Sequence, residues 1–220
     1  MERQIITTKD GSHSIHIPEM DEQYHSIHGS IQEAEKVYIE YGLESITQGS
    51  RINLFEMGFG TGLNALLTYQ YAKKRGLEII YHSIEKYPLS SKEISSLNYS
   101  HLLNDEEGIY DLLHAAEWGK EVEISSNFHL KKIEVDLEDV NFEEAFDVVY
   151  FDAFAPEKQP HLWSLEVFSK LYQSMKAGAV LTTYCVKGEV RRRLQELGFQ
   201  IEKLPGPEGG KREVLRAVKI

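Results

Sequence analysis

The apolar positions of this chain change period partway along it. In the first stretch, Ile5, Ile15 and Ile17 flank Lys9-Asp10-Gly11-Ser12. An Asp-Gly pair between two short strand-like runs predicts a hairpin. Residues 29–41 carry Ile31, Ala34, Val37 and Tyr38 at helical spacing and predict a helix. From Ile52 onward, short apolar runs alternate with 3.6-period stretches. Strands are expected at 52–57, 79–85, 146–152 and 178–185, with a weaker one at 128–135. Helices are expected at 61–75, 88–97, 160–175 and 186–197. Strands 79–85 and 146–152 are rich in Ile, Val and Tyr, as strands covered on both faces are. Repeated strand–helix units predict a parallel sheet flanked by helices. Residues 98–127 read as an irregular insertion with a short helix near 105–117. The chain closes on two strand-like runs, 199–204 and 213–218, joined by a Gly- and Pro-rich link, which predicts an antiparallel hairpin. The expected organisation is an N-terminal hairpin-and-helix extension, 1–45, packed on a main domain, 46–220.

The densest chemical signal is Leu54-Phe55-Glu56-Met57-Gly58-Phe59-Gly60-Thr61-Gly62. An apolar run ends in an acid and three glycines at alternate positions, and Leu63, Leu66 and Leu67 come next at helical spacing. A strand, a tight glycine turn and a helix let the backbone approach a nucleotide-like ligand. Glu85 ends the next strand, where an acid can accept hydrogen bonds from both ribose hydroxyls. Nicotinamide and S-adenosylmethionine sites share that device, so Glu85 does not choose between them.

The terminal hairpin bears on that choice. A parallel sheet finished by an antiparallel hairpin resembles the class I S-adenosylmethionine-dependent methyltransferases, an α/β, Rossmann-like fold with a mostly parallel seven-stranded sheet. The Glu56-x-Gly-x-Gly-x-Gly run matches the first motif of that class, which implies that Glu56, Gly58, Gly60, Thr61, Gly62 and Asn64 line the methionine part of the donor. The same resemblance gives Asp136 a role at the adenine amino group; the alternative is an N-cap for the next helical turn.

Strand 146–152 ends in Asp152-Ala153-Phe154-Ala155-Pro156. An acid with an aromatic and a proline after it, at the ligand-binding edge of a parallel sheet, resembles the fourth motif of enzymes that methylate amines. A nitrogen nucleophile must arrive unprotonated, because an ammonium has no lone pair. Asp152 is therefore the candidate catalytic residue, orienting the amine and taking its proton. Phe154 and Pro156 would shape the pocket.

Longer segments resemble the methyltransferase part of MnmC-type tRNA-modifying proteins. These are Glu56 to Asn64, Ser83-Ile-Glu-Lys86-Tyr-Pro-Leu89, Asp152 to Trp163 and Gly210-Lys211-Arg212-Glu-Val-Leu215, with Tyr24-His25-Ser26, Gly29 and Glu33 upstream. The resemblance runs from about residue 20 to the end. It implies methylation of the aminomethyl group of 5-aminomethyl-2-thiouridine at the tRNA wobble position, with S-adenosylmethionine as donor. It adds Lys86 to the donor residues and Tyr24 and His25 to the pocket border. The flavin-dependent oxidase of fused members has no counterpart in these residues, which read as the stand-alone form. The expectation is therefore no flavin, and a separate enzyme that supplies the aminomethyl substrate.

Charge complicates the picture. The 220 residues carry a formal net charge of −11, which argues against coating nucleic acid by bulk electrostatics. Single-stranded anticodon bases are gripped by stacking and local cations, so net charge is no veto. Lys187, Arg191, Lys211 and Arg212 are the candidate phosphate contacts; Arg192 and Arg193 read equally as a solvated helix face. His13, His16, His25 and His28 lack a tight ligand pattern, so no metal is expected. No apolar run approaches the roughly 20 residues of a membrane span. The single Cys185 and the absence of a signal-peptide core at Met1-Glu2-Arg3-Gln4 make a cytoplasmic location the expectation. Two other readings remain: a small-molecule amine methyltransferase, and a donor-binding module without catalysis.

Overall fold

The computed structural model describes residues 2–46, 49–140 and 145–220. Its elements in chain order are β1 (Gln4–Thr7), β2 (His13–Ile17), β3 (Glu22–Gln23), α1 (Ser30–Ala34), β4 (Arg51–Met57), α2 (Leu63–Arg75), β5 (Glu78–Glu85), α3 (Ser91–Ser95), α4 (Tyr99–Leu102), α5 (Ile109–Ala115), β6 (Glu121–Ser125), β7 (Phe128–Glu134), β8 (Phe146–Phe151), α6 (Leu165–Ser174), β9 (Met175–Thr183), α7 (Gly188–Glu196), β10 (Phe199–Pro205) and β11 (Glu213–Lys219). One sheet has the order β10-β11-β9-β8-β4-β5-β7-β6. Strands β7, β5, β4, β8 and β9 run parallel, and antiparallel pairs close both ends.

Alternation along each central strand builds two cores. Leu54, Val148 and Tyr150 face a cluster with Leu63, Leu66 and Leu67 of α2. Their neighbours Phe55, Val149 and Phe151 face the opposite cluster, with Val167, Phe168 and Leu171 of α6 and Val190 and Leu194 of α7. A two-residue period inside strands that look uniformly apolar thus separates the two faces. Ile15, Ala34, Val37 and Tyr38 join the first cluster, and Tyr38 packs on Tyr150 with ring centroids 5.2 Å apart.

Three details differ from the sequence reading. The sheet has eight strands rather than seven, because β6 pairs with β7 inside the stretch read as irregular. Its Glu121 and Glu123 stand exposed on an edge, where charge protects the strand's open side and hides its apolar signal. The N-terminal hairpin gains a third strand, since Glu22–Gln23 pairs with β2. Helices start later than expected where a serine caps them: Ser90 forms a reciprocal capping box with Glu93, and Ser164 accepts from Val167 N.

Candidate active site

Sheet order reverses about β4, with β5 on one side and β8 on the other, so a crevice opens at the C-terminal ends of these strands. A cavity of about 550 Å³ fills it. The glycine turn forms its floor. Gly58 has φ +91°, and a Cβ there would lie 3.0 Å from the Asp152 carbonyl oxygen, so only glycine lets β4 and β8 close together at this point. Gly58 N and Phe59 N both donate to Ile84 O, at 3.0 and 3.1 Å. Glu85 lies at the end of β5. Its Oε2 accepts from Gly60 N at 3.1 Å and its Oε1 from Tyr87 N at 2.8 Å, which fixes the carboxylate and leaves lone pairs for a diol. Asp136 accepts from Lys86 Nζ at 2.6 Å. Burial alone raises the Asp136 pKa, but the Lys86 contact brings it below the ordinary value.

Across the cavity, Asp152 stands at the end of β8. Asn64 Nδ2 of α2 donates to Asp152 Oδ2 at 3.0 Å. The buried Tyr38 hydroxyl closes no good hydrogen bond, yet lies near enough for the two groups to perturb each other. Burial pushes the Asp152 carboxyl up to about 6, helped by the charge of Glu33 and opposed by hydrogen bonding. Tyr24 meets Phe154 edge to face at 5.3 Å. The loop after Asp152 is pinned from three sides: Phe154 N donates to Gln159 Oε1, Trp163 Nε1 to Phe154 O, and Tyr184 OH to Ala153 O. Trp163 is fully buried and acts as a brace.

Of the residues expected at the site, Gly58, Gly60, Thr61, Asn64, Glu85, Lys86, Asp136, Asp152, Tyr24, His25, Phe154 and Lys211 line this one cavity. Glu56, Gly62 and Pro156 are buried outside its lining. Glu56 sits beneath the turn, where Ser83 Oγ donates to its Oε2 at 2.8 Å. Desolvation pushes its carboxyl up to about 8. Lys187, Arg191 and Arg212 also lie outside the lining, and Lys187 pairs with Glu157. His25 is held by Ser14, and burial lowers it to about 4.

The insertion supplies what the sequence reading missed. Tyr110 OH donates to Thr61 O at 3.0 Å, and His114 Nε2 lies 3.1 Å from the same oxygen. Behind them Lys132 is buried. Its ammonium donates to His114 O at 2.8 Å and lies over the rings of Phe59 and Trp118. Burial, which disfavours the charged form, lowers it to about 8 despite those contacts. The one available signal was two adjacent lysines, Lys131 and Lys132, inside an otherwise alternating strand.

The donor set fits a nucleoside carrying an amino acid. A fixed acid reaches the cavity at each of two neighbouring strand ends, and glycines line the floor. Asn64 and Gln23, both lining residues, keep buried side-chain oxygens without a partner among the described residues, so acceptors remain for a ligand's N–H groups.

A model of the S-adenosyl-L-methionine-dependent methyltransferase family matches residues 92–220. The tRNA 5-methylaminomethyl-2-thiouridine biosynthesis bifunctional protein MnmC of Nitrosospira multiformis is 30% identical over 210 residues, which cover 88% of this chain and 33% of that protein. The chain thus spans about a third of the length of the curated relatives it matches. The crystal structure of MNMC2 from Aquifex aeolicus superposes with a TM-score of 0.78 at 25% identity, covering 98% of this chain and 70% of that one. Spermidine synthase from Thermotoga maritima shares the fold at TM-score 0.56 and 14% identity, with 99% and 73% covered. With more than half of its length matched by the family model, and with the eight-stranded sheet and strand-end cavity in place, the chain belongs to the S-adenosyl-L-methionine-dependent methyltransferases.

Proposed function

We propose that this methyltransferase acts on a primary amine, the aminomethyl group of 5-aminomethyl-2-thiouridine at the tRNA wobble position, and yields 5-methylaminomethyl-2-thiouridine. The observation that carries the reading is Asp152, a desolvated carboxylate clamped by Asn64 on the acceptor side of a cavity whose other side holds Glu85. Likeness to the MnmC relatives and to MNMC2 supports the choice of tRNA.

The donor supplies a methyl group on a positively charged sulfonium. In this reading Glu85 accepts from the ribose hydroxyls, Asp136 and Lys86 border the adenine, and Gly58, Gly60, Thr61 and Asn64 border the methionine part. Glu56 and Gly62 hold the turn from below. Asp152 orients the incoming amine and receives its proton; a carboxyl raised to about 6 is a better proton acceptor than an ordinary aspartate and is still ionised at neutral pH. Tyr24, His25 and Phe154 exclude water from the transfer path, and Pro156 stiffens the loop. Lys187, Arg191, Lys211 and Arg212 offer cations for tRNA phosphates around the mouth. A separate enzyme supplies the aminomethyl nucleoside, and the reaction belongs in the cytoplasm, where tRNA is modified.

The test is incubation of the protein with labelled S-adenosylmethionine and tRNA from cells lacking this methylation step, then mass spectrometry of the nucleosides. Label in the wobble nucleoside is expected. Its absence, with label passing to free amines instead, would leave a small-molecule amine methyltransferase, the reading that the net charge of −11 favours.

A further inference from the structure

We propose that Glu33, the ring face of Tyr184 and Asp152 form a primary-ammonium subsite, in which Lys211 sits as an internal stand-in that the acceptor's ammonium displaces. This deepens the proposed function and rests on it for the amine acceptor, which docks here as an ammonium and gives one proton to Asp152 before its lone pair attacks the methyl group.

Glu33 is only 6% exposed, yet it lines the cavity. Its Oε2 is fixed by Ser26 N at 2.8 Å, and its Oε1 accepts from Lys211 Nζ at 3.2 Å. The same Nζ lies 3.6 Å from the centroid of the Tyr184 ring, a close cation–π contact. That ring cannot turn away, because its hydroxyl is tied to Ala153 O at 2.8 Å. Asp152 feels both charges, Glu33 raising its pKa and Lys211 lowering it. The Lys211 ammonium therefore sits against one buried carboxylate and one fixed aromatic face, in a cavity that the candidate catalytic carboxylate also lines. Those are the groups that recognise an ammonium on a short arm.

Lys211 is built to leave. It belongs to the link between β10 and β11, and its side chain is 42% exposed. Glu33, by contrast, is held in place and cannot stay buried without a cation except at large cost. Exchange of one ammonium for another preserves charge, whereas a neutral or acidic group in the same place strands Glu33. The subsite thus selects an aminomethyl group over hydroxymethyl or carboxymethyl at the same ring position. The displaced Lys211, at the cavity mouth, becomes free to meet a phosphate of the acceptor.

Benzylamine, a primary ammonium on a methylene attached to a flat ring, is the probe, with benzyl alcohol as its neutral control. Both are titrated by NMR into the full chain saturated with S-adenosylhomocysteine, as wild type, Lys211→Met and Glu33→Gln. Removing the internal competitor should tighten benzylamine binding by about fivefold or more, since the competent fraction rises. Glu33→Gln should abolish the preference for benzylamine over benzyl alcohol. Equal benzylamine affinity in wild type and Lys211→Met overturns the proposal, as does no binding to Lys211→Met at all. Lys211→Met strands the Glu33 carboxylate; should it fail to fold, the double variant Lys211→Met with Glu33→Gln strands no charge, and a preference of that variant for benzylamine over benzyl alcohol overturns the proposal. Benzylamine carries no phosphate or nucleoside, so a failure of tRNA methylation sinks the tRNA reading without touching this result.

Discussion

Asn64 Nδ2 lies 3.0 Å from Asp152 Oδ2, so the helix that begins at the glycine turn holds the carboxylate at the end of a different strand. The helix after the glycine turn and the end of β8 are thus linked by one hydrogen bond. Asp152→Asn preserves the shape and removes the proton acceptor. It should lower kcat by about 10²–10⁴-fold while S-adenosylhomocysteine affinity, read by calorimetry, stays near wild type. The wild-type rate should fall as pH drops through about 6, where Asp152 takes up a proton. Parallel loss of donor binding and turnover would make Asp152 a structural group.

Glu85 organises the other side. Glu85→Ala removes the acceptor for Gly60 N and Tyr87 N as well as the exposed lone pairs. The dissociation constant for S-adenosylhomocysteine should rise by roughly 10–100-fold, the effect of losing one or two charge-assisted hydrogen bonds. kcat at saturating donor should change far less. An unchanged dissociation constant removes Glu85 from the donor site.

Gly62 has φ +73°, and a Cβ on it would sit 2.8 Å from His114 Nε2. Gly62→Ala combines backbone strain with a clash against the insertion, and should cost about 1–3 kcal/mol of stability in urea denaturation. Donor affinity should fall with it, because Thr61 is held by the same His114 and by Tyr110. A loss confined to stability would separate the insertion from the turn.

Glu56 gives a stability signature in pH. Burial raises its folded pKa to about 8 from an ordinary 4.5. A raised carboxyl contributes stability that is fully present below the unfolded value and is lost as pH climbs through the folded one. Glu56→Gln keeps the hydrogen bond from Ser83 and removes the titration. Relative to wild type, the Gln variant should therefore be more stable at pH 9 than at pH 5. A difference independent of pH would mean that Glu56 is ionised throughout.

The central architecture was legible because it is local. Continuous Ile, Val and Tyr runs, the glycines after Glu56 and the Gly-Pro link near the C-terminus each specify an element by propensity and turn chemistry. The missed elements were those whose signal is not local. Strand β6 is an edge with exposed acids, and α4 is a single short turn held by packing, with Tyr99 fully buried against Tyr110, rather than by periodicity; the short helix expected near 105–117 is α5, Ile109–Ala115.

The sequence by itself determined the sheet, the donor-type turn and Asp152 at a strand end, since each depends on residues within a few positions of one another. Only the tertiary structure decided that Lys211 lies on Glu33 across 178 positions and that Glu85 shares a cavity with Asp152. It also decided that a lysine in β7 braces the insertion behind the turn. Those pairings depend on how separate elements close around the crevice, and on which charges burial leaves with a single partner. No window of sequence carries that information.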